Sequence, residues 1–193
     1  MKFENVIVFG LGAVGSNIML NLIRDLPNLN YIGVDYDKVE ERNIAPGTQP
    51  YLKSHIGKYK TQSLQMLCLI NANKKIAIIT NKIGHSSDIY LYAENTLAID
   101  AFDNLESRNL IKGTHVVHVG FSPEMTGSVI WDHMWKSEKS SSSIGADICT
   151  MQGARSFIMA LTSLASMVIV EFYYKGTKDN LYFDKYFKLK KLI

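Results

Sequence analysis

Gly10, Gly12 and Gly15 stand directly behind the apolar run Val6-Ile7-Val8-Phe9, and Asp35 closes the next apolar run twenty residues after the last glycine. This spacing suits a nucleotide cradle. Gly10 lets the chain turn sharply, Gly12 admits main-chain N–H groups close to a phosphate, and Gly15 lets the following helix pack against the first strand. Asp35 then stands where a ribose hydroxyl is bound. The same residues would also serve a glycine turn that only packs a strand on a helix. Further polar residues follow: Asp37 and Asn43, then Gly57 and Lys60, then Asp100, Asp103, Asn104 and Arg108. Each group falls at the end of an expected strand, and in an open parallel sheet those ends converge on one crevice. A carboxylate, an amide, a lysine and a second carboxylate around one nucleotide suit phosphoryl chemistry. Lys60 would neutralise phosphate oxygens, Asp103 would hold a magnesium ion, and the glycine-loop amides would stabilise charge as pyrophosphate leaves.

The elements that must position these residues are legible in the apolar periodicity. Val6–Phe9 reads as a strand covered on both faces, and Val14, Ile18 and Leu22 recur at helical spacing until Pro27. Tyr31–Asp35 reads as a second strand, 58–71 as a helix and 76–80 as a third strand. Next come a short helix over 86–93, a strand over 96–100 and a helix over 105–112. Alternation of strand and helix implies a parallel sheet. Strands over 116–120 and 128–135 follow, the second antiparallel, then a serine- and charge-rich loop over 137–143. A helix over about 151–174 and a hairpin over 181–193 complete an α/β, Rossmann-like, mostly parallel sheet flanked by helices, with added antiparallel strands in the C-terminal half. The chain reads as one domain over 1–193.

Composition narrows the class. The 193 residues are 47% hydrophobic and 20% charged, with a net charge of +3. That charge is too small and scattered to argue for a nucleic-acid partner; Lys185, Lys188, Lys190 and Lys191 read as a solvated strand edge. Cys68 and Cys149 form no disulfide framework, and no Cys-x-x-Cys pair offers a structural zinc site. A reducing, cytoplasmic setting is the expectation, with no secretory signal. The apolar stretch Phe157–Phe172, interrupted by Thr162, Ser163 and Ser166, reads as a buried helix and not a membrane span.

On Gly10, Gly12, Gly15, Asp35, Asp37, Val39, Asn43, Gly57, Lys60, Asp100, Asp103, Asn104 and Arg108, in this order and spacing, the sequence resembles the ThiF/MoeB adenylyltransferases, bacterial relatives of ubiquitin-activating enzymes. The strand from Gly127, the long closing helix and the tail Leu181-Tyr182-Phe183-Asp184 extend the resemblance over nearly the whole chain. It implies that ATP binds in the crevice. The C-terminal carboxylate of a small ubiquitin-like, β-grasp carrier ending in Gly-Gly would then attack the α-phosphate, giving an acyl-adenylate and pyrophosphate. It also implies that Asp35 contacts the ribose, that Asn43 and Lys60 contact phosphates, that Asp103 binds magnesium and that Arg108 orders the Asp103 turn. The family pattern suggests a dimer, from like or unlike chains.

The sequence departs from that pattern in places. Where the family has Asn-x-x-Arg-Gln, this chain has Asn43-Ile44-Ala45-Pro46-Gly47, so the phosphate-clamping arginine is replaced; Arg42 is the nearest substitute. The N-terminal arginine arm and the zinc-binding cysteines are also missing. Cys149 matches the position where sulfur-transferring members carry a reactive cysteine, while Asp147 beside it opposes thiolate formation. His115 and His118 are read as sitting on the faces of a strand; Trp131, Met134 and Trp135 are read as core. Two other functions stay open: a catalytically reduced nucleotide-binding scaffold or heterodimer subunit, and an NAD-dependent oxidoreductase. Lys60 and the Asp103-Asn104 pair have no role in hydride transfer.

Overall fold

A computed structural model of the chain describes residues 3–44, 47–84, 95–135 and 153–192. Its elements in order are β1 (Asn5–Phe9), α1 (Ala13–Asp25), β2 (Asn30–Val34), α2 (Lys60–Ala72), β3 (Ala77–Ile79), β4 (Thr96–Asp100), α3 (Leu105–Leu110), β5 (Val116–Phe121), β6 (Gly127–Trp131), α4 (Ala154–Lys175), β7 (Asn180–Phe183) and β8 (Leu189–Leu192). One eight-stranded sheet runs in the order β3-β2-β1-β4-β5-β6-β7-β8. The strands from β3 to β5 pair in parallel, and β6, β7 and β8 add antiparallel pairs. The expected α/β architecture is therefore present, with the mixed sheet it called for. The short helix expected over 86–93, the serine-rich segment 137–143 and Cys149 lie outside the described residues.

β1 shows why its sequence is apolar without alternation. Val6 and Val8 face the larger core with Ile18, Leu22, Leu161 and Ile169, while Ile7 and Phe9 face a second cluster with Val34, Ala98, Ile111 and Val116. Each such fully buried side chain contributes about 1.5–3 kcal/mol of transfer free energy. Tyr31, on β2, brings its hydroxyl to 2.7 and 2.8 Å from the Leu22 and Leu26 carbonyl oxygens and shares its proton between the last carbonyls of α1. Burial pushes that phenol well up from its ordinary range.

α4 is long and apolar enough to cross a membrane by length and composition alone, yet half of it is buried within the fold. Phe157, Leu161, Ala165, Ile169 and Phe172 enter the core, and α1 is its main helical neighbour. β6 ends earlier than the alternation predicts. The Met134 and Trp135 amides donate to the Trp131 carbonyl, which turns the chain out of the sheet at Asp132. Trp131 is core as expected, but Trp135 is half-buried and Met134 exposed. Among the described residues β8 forms one edge of the sheet and three-residue β3 the other.

Candidate functional site

The strand order reverses between β1 and β4, so connections leave in opposite directions and open a crevice at the carboxyl ends of the strands. A cavity of about 370 Å³ lies there. Its walls include Gly10 and Gly12 after β1, Asp35 and Asp37 after β2, Asp103 and Asn104 after β4, and Gly120 of β5, together with Asn43, Gln49, Lys60 and Arg108.

The three glycines divide their duties. Gly10 has φ +81°, and a Cβ there would lie 2.8 Å from the Ala101 carbonyl oxygen. At Gly15 a Cβ would lie 1.9 Å from the Gly10 oxygen, so α1 could not approach the turn. A Cβ at Gly12 would meet nothing within 4 Å; there the cradle opens to the crevice. Leu11 between them is held at both backbone polar groups. Its amide donates to Asp35 Oδ2 at 2.7 Å and its carbonyl accepts the Tyr51 hydroxyl at 2.6 Å.

Asp35 accepts a second amide, that of Asp37, on Oδ1 at 2.8 Å. Burial raises its carboxyl above the usual range, partly offset by Lys60 and by these amides. Each carboxylate oxygen retains a second lone pair for a ligand. Lys60, the first residue of α2, donates from its buried ammonium to Asp37 Oδ2 at 2.8 Å, and its amide donates to the Asp37 carbonyl. Asn43 is buried and accepts the Glu40 amide on Oδ1 at 2.8 Å, which leaves its NH₂ as the donor for the crevice. Arg42 borders the cavity with its Nε on Glu40 at 2.6 Å, both side chains exposed.

Asp103 is exposed at the rim of the crevice, beside Asn104, whose Oδ1 caps α3 by accepting the Ser107 amide at 2.8 Å. A lone, accessible carboxylate fits magnesium, which keeps several waters and takes one or two carboxylates plus phosphate oxygens. Among the described residues no three His, Cys, Asp or Glu side chains group into a metal site. The cradle, open at Gly12, fits a phosphate chain of ATP.

Sequence reasoning missed three features. Gln49 is buried in the crevice wall with no partner for its Oε1 among the described residues. From the first turn of α4, Arg155 donates through Nη1 to the Gly47 carbonyl, so a guanidinium reaches the loop in which the expected arginine is replaced. The third is a buried charged array. Arg108 is expected to order the Asp103 turn, but its Nε goes to Asp100 Oδ2 at 3.0 Å and its Nη2 to the Val119 carbonyl at 3.1 Å. The fully buried Asp100 carboxylate needs that cation more than the exposed Asp103 does. The same Oδ2 meets His118 Nδ1 at 2.8 Å, and His118 Nε2 meets Asp132 Oδ1 at 3.2 Å. His118 is thus a partner of two carboxylates, not a plain strand residue. No local pattern signals this pair: it follows from the β4–β5 register, in which Asp100 and His118 stand side by side.

Solved structures share this fold. E. coli MccB crystallised with ATP superposes with a TM-score of 0.71 at 13% identity, covering 98% of this chain and 63% of that one. E. coli MccB with MccA-N7isoASN gives 0.72 at 13% identity, with 98% and 64% covered. PaaA gives 0.72 at 16% identity, with 98% and 63% covered. The chain therefore spans somewhat under two thirds of the length of these structures. No curated protein matches it in sequence. The ThiF family model matches residues 1–142, a stretch that holds the glycine turn, Asp35, Lys60, Asp103 and Arg108, and on that match the chain belongs to the ThiF family.

Proposed function

We propose that the crevice binds ATP and activates the C-terminal carboxylate of a small protein or peptide by adenylylation, a ubiquitin-like carrier ending in Gly-Gly being the expected substrate. The observation that carries this reading is the convergence of the glycine turn, Lys60 and Arg108 on one cavity at the switch point of the sheet. Support also comes from family membership and from the fold shared with an MccB crystallised with ATP. In the reaction a carboxylate oxygen bonds to the α-phosphorus while the bond from that phosphorus to the bridging oxygen breaks, releasing pyrophosphate and leaving an acyl-adenylate.

The residues divide the work. Amides around Gly12 face the phosphates, and Lys60, oriented by Asp37, offsets the charge that gathers on the leaving group. Asn43, its Oδ1 taken by the Glu40 amide, would donate its NH₂ to a phosphate. Asp35 orients the turn through Leu11 and retains lone pairs for ribose hydroxyls. Magnesium, held through Asp103, would supply further charge neutralisation when bound. In a sulfur-transfer or conjugation variant of this function the Cys149 thiolate would attack the acyl-adenylate, its sulfur bonding to the acyl carbon as the bond from that carbon to the phosphate oxygen breaks and AMP leaves. The protein would work as a dimer of like or unlike chains.

The replacement of the clamp arginine by the Asn43-Ile44-Ala45-Pro46-Gly47 sequence favours a second reading, a nucleotide-binding scaffold without catalysis. ATP–pyrophosphate exchange with magnesium and a candidate carrier separates the two: exchange supports the enzyme, ATP binding without exchange the scaffold. Asp103→Ala abolishes exchange if Asp103 serves magnesium; unchanged exchange rejects that role.

A further inference from the structure

Arg108 crosses the floor of the crevice on a surface made for it. Gly120 lies beneath the guanidinium, and a Cβ there would come within 2.6 Å of Nη1. With Nε on Asp100 and Nη2 on Val119, two of its five N–H groups are committed among the described residues, and the others border the crevice, where an oxyanion can accept them. The Asp100 carboxylate that orients the guanidinium is itself fixed in place. Its Oδ2 is shared between Arg108 and His118, its Oδ1 accepts the Phe102 amide at 3.1 Å, and the far ring nitrogen of His118 is held by Asp132. Trp135 stacks on the imidazole at 4.3 Å between centroids and 13° between planes, fixing the ring in the plane that joins the two carboxylates.

We propose that His118 and Asp132 are positioning residues for Arg108: acting through Asp100, they fix the guanidinium so that its uncommitted N–H groups meet an oxyanion in the crevice. The inference rests on the nucleotide reading and names how one wall of that site is prepared. The oxyanion is a nucleotide phosphate or the carboxylate to be activated, and adenosine, ATP and glycylglycine as probes distinguish these sources.

The test is calorimetric titration of the purified chain with each probe, alongside its thermal midpoint. His118→Asn weakens ATP or glycylglycine binding about tenfold, the size expected for disturbing a charged hydrogen bond, and leaves adenosine unchanged. Asp132→Asn, at a side chain only 28% exposed yet close to the surface, repeats the effect more weakly and serves if His118→Asn does not fold. In an Arg108→Ala background His118→Asn adds no further loss, whereas in a Lys60→Ala background its loss persists. An additive loss on Arg108→Ala, an equal loss for adenosine, or unchanged binding of ATP and glycylglycine overturns the proposal while wild-type ATP binding leaves the nucleotide reading standing. Wild-type chain that binds no ATP overturns that reading first, and the inference with it.

Discussion

The Tyr51 hydroxyl donates to the Leu11 carbonyl across 2.6 Å from a residue forty positions away, and so closes the glycine turn from the side opposite Asp35. The phenol is buried and its ionisation is pushed well above the ordinary range by that burial, so it acts as a fixed donor. Tyr51→Phe leaves the Leu11 carbonyl without this partner. We expect a stability loss of about 1–3 kcal/mol by denaturant unfolding, with weaker ATP binding in calorimetry. Unchanged binding would remove Tyr51 from the account of the cradle.

Alanine at the three glycines is expected to sort them by role. Gly15→Ala drives a Cβ into the Gly10 carbonyl oxygen and should cost several kcal/mol, on the order of the largest single-site effects. Gly12→Ala meets nothing and sits at an ordinary negative φ, so its thermal midpoint stays near wild type while its methyl group intrudes on bound phosphate. Calorimetry then reads a loss of ATP affinity in a fully folded protein. A stable Gly15→Ala variant would contradict the packing described.

Lowering the pH below neutrality should weaken the fold through His55. Burial, and secondarily Lys58, hold this histidine below its ordinary value, and its Nδ1 accepts the Leu52 amide at 3.2 Å. The unfolded chain takes up a proton first, near pH ~6.5, so the contribution is complete above that value and is lost as pH falls toward the depressed folded-state value. His115 is shifted the same way, mainly by burial. Asp35 has the opposite sign: its raised carboxyl favours the fold more at low pH. The check is therefore a difference between wild type and His55→Gln, whose thermal midpoint should fall less between pH 7.5 and 5.5, values within about one to two units of the histidine range.

Thiol chemistry should report how firmly the core holds Cys68. Burial in the core pushes the Cys68 thiol up to about 12, so it carries almost no thiolate at neutral pH. Iodoacetamide applied to the folded protein should leave Cys68 unmodified, as read by peptide mass mapping, and modify it only in denaturant. Labelling of Cys68 in the native state would show that α2 opens from the sheet.

Local periodicity and glycine chemistry made much of this architecture legible. The continuous apolar run of β1 and the 3.6-residue recurrence in α1 are direct consequences of two-sided burial and one-sided packing, and both elements form where expected. The end of β6 was not legible, because the turn at Asp132 depends on the Trp131 carbonyl and not on a glycine or proline. At the site, Asp37 follows β2 as expected, whereas Lys60 opens α2, and their ion pair depends on how the loop folds back through the Lys38–Tyr59 bridge. The Asp100–His118 pair depends on the register between strands eighteen residues apart. Gln49 gave no signal of its own; its amide matters only because neighbouring walls bury it.

Among the described residues β8 is an edge strand; it carries Lys190 and Lys191, the latter paired with Asp179, and Lys188 stands just before it. If two molecules tried to extend their sheets by joining these borders, like charges would be brought face to face along the seam, at a cost that the exposed backbone groups would have to overcome. Among the described residues, the β7–β8 hairpin thus leaves a border whose charges oppose joining to a second copy of itself, on the side of the sheet away from the short β3.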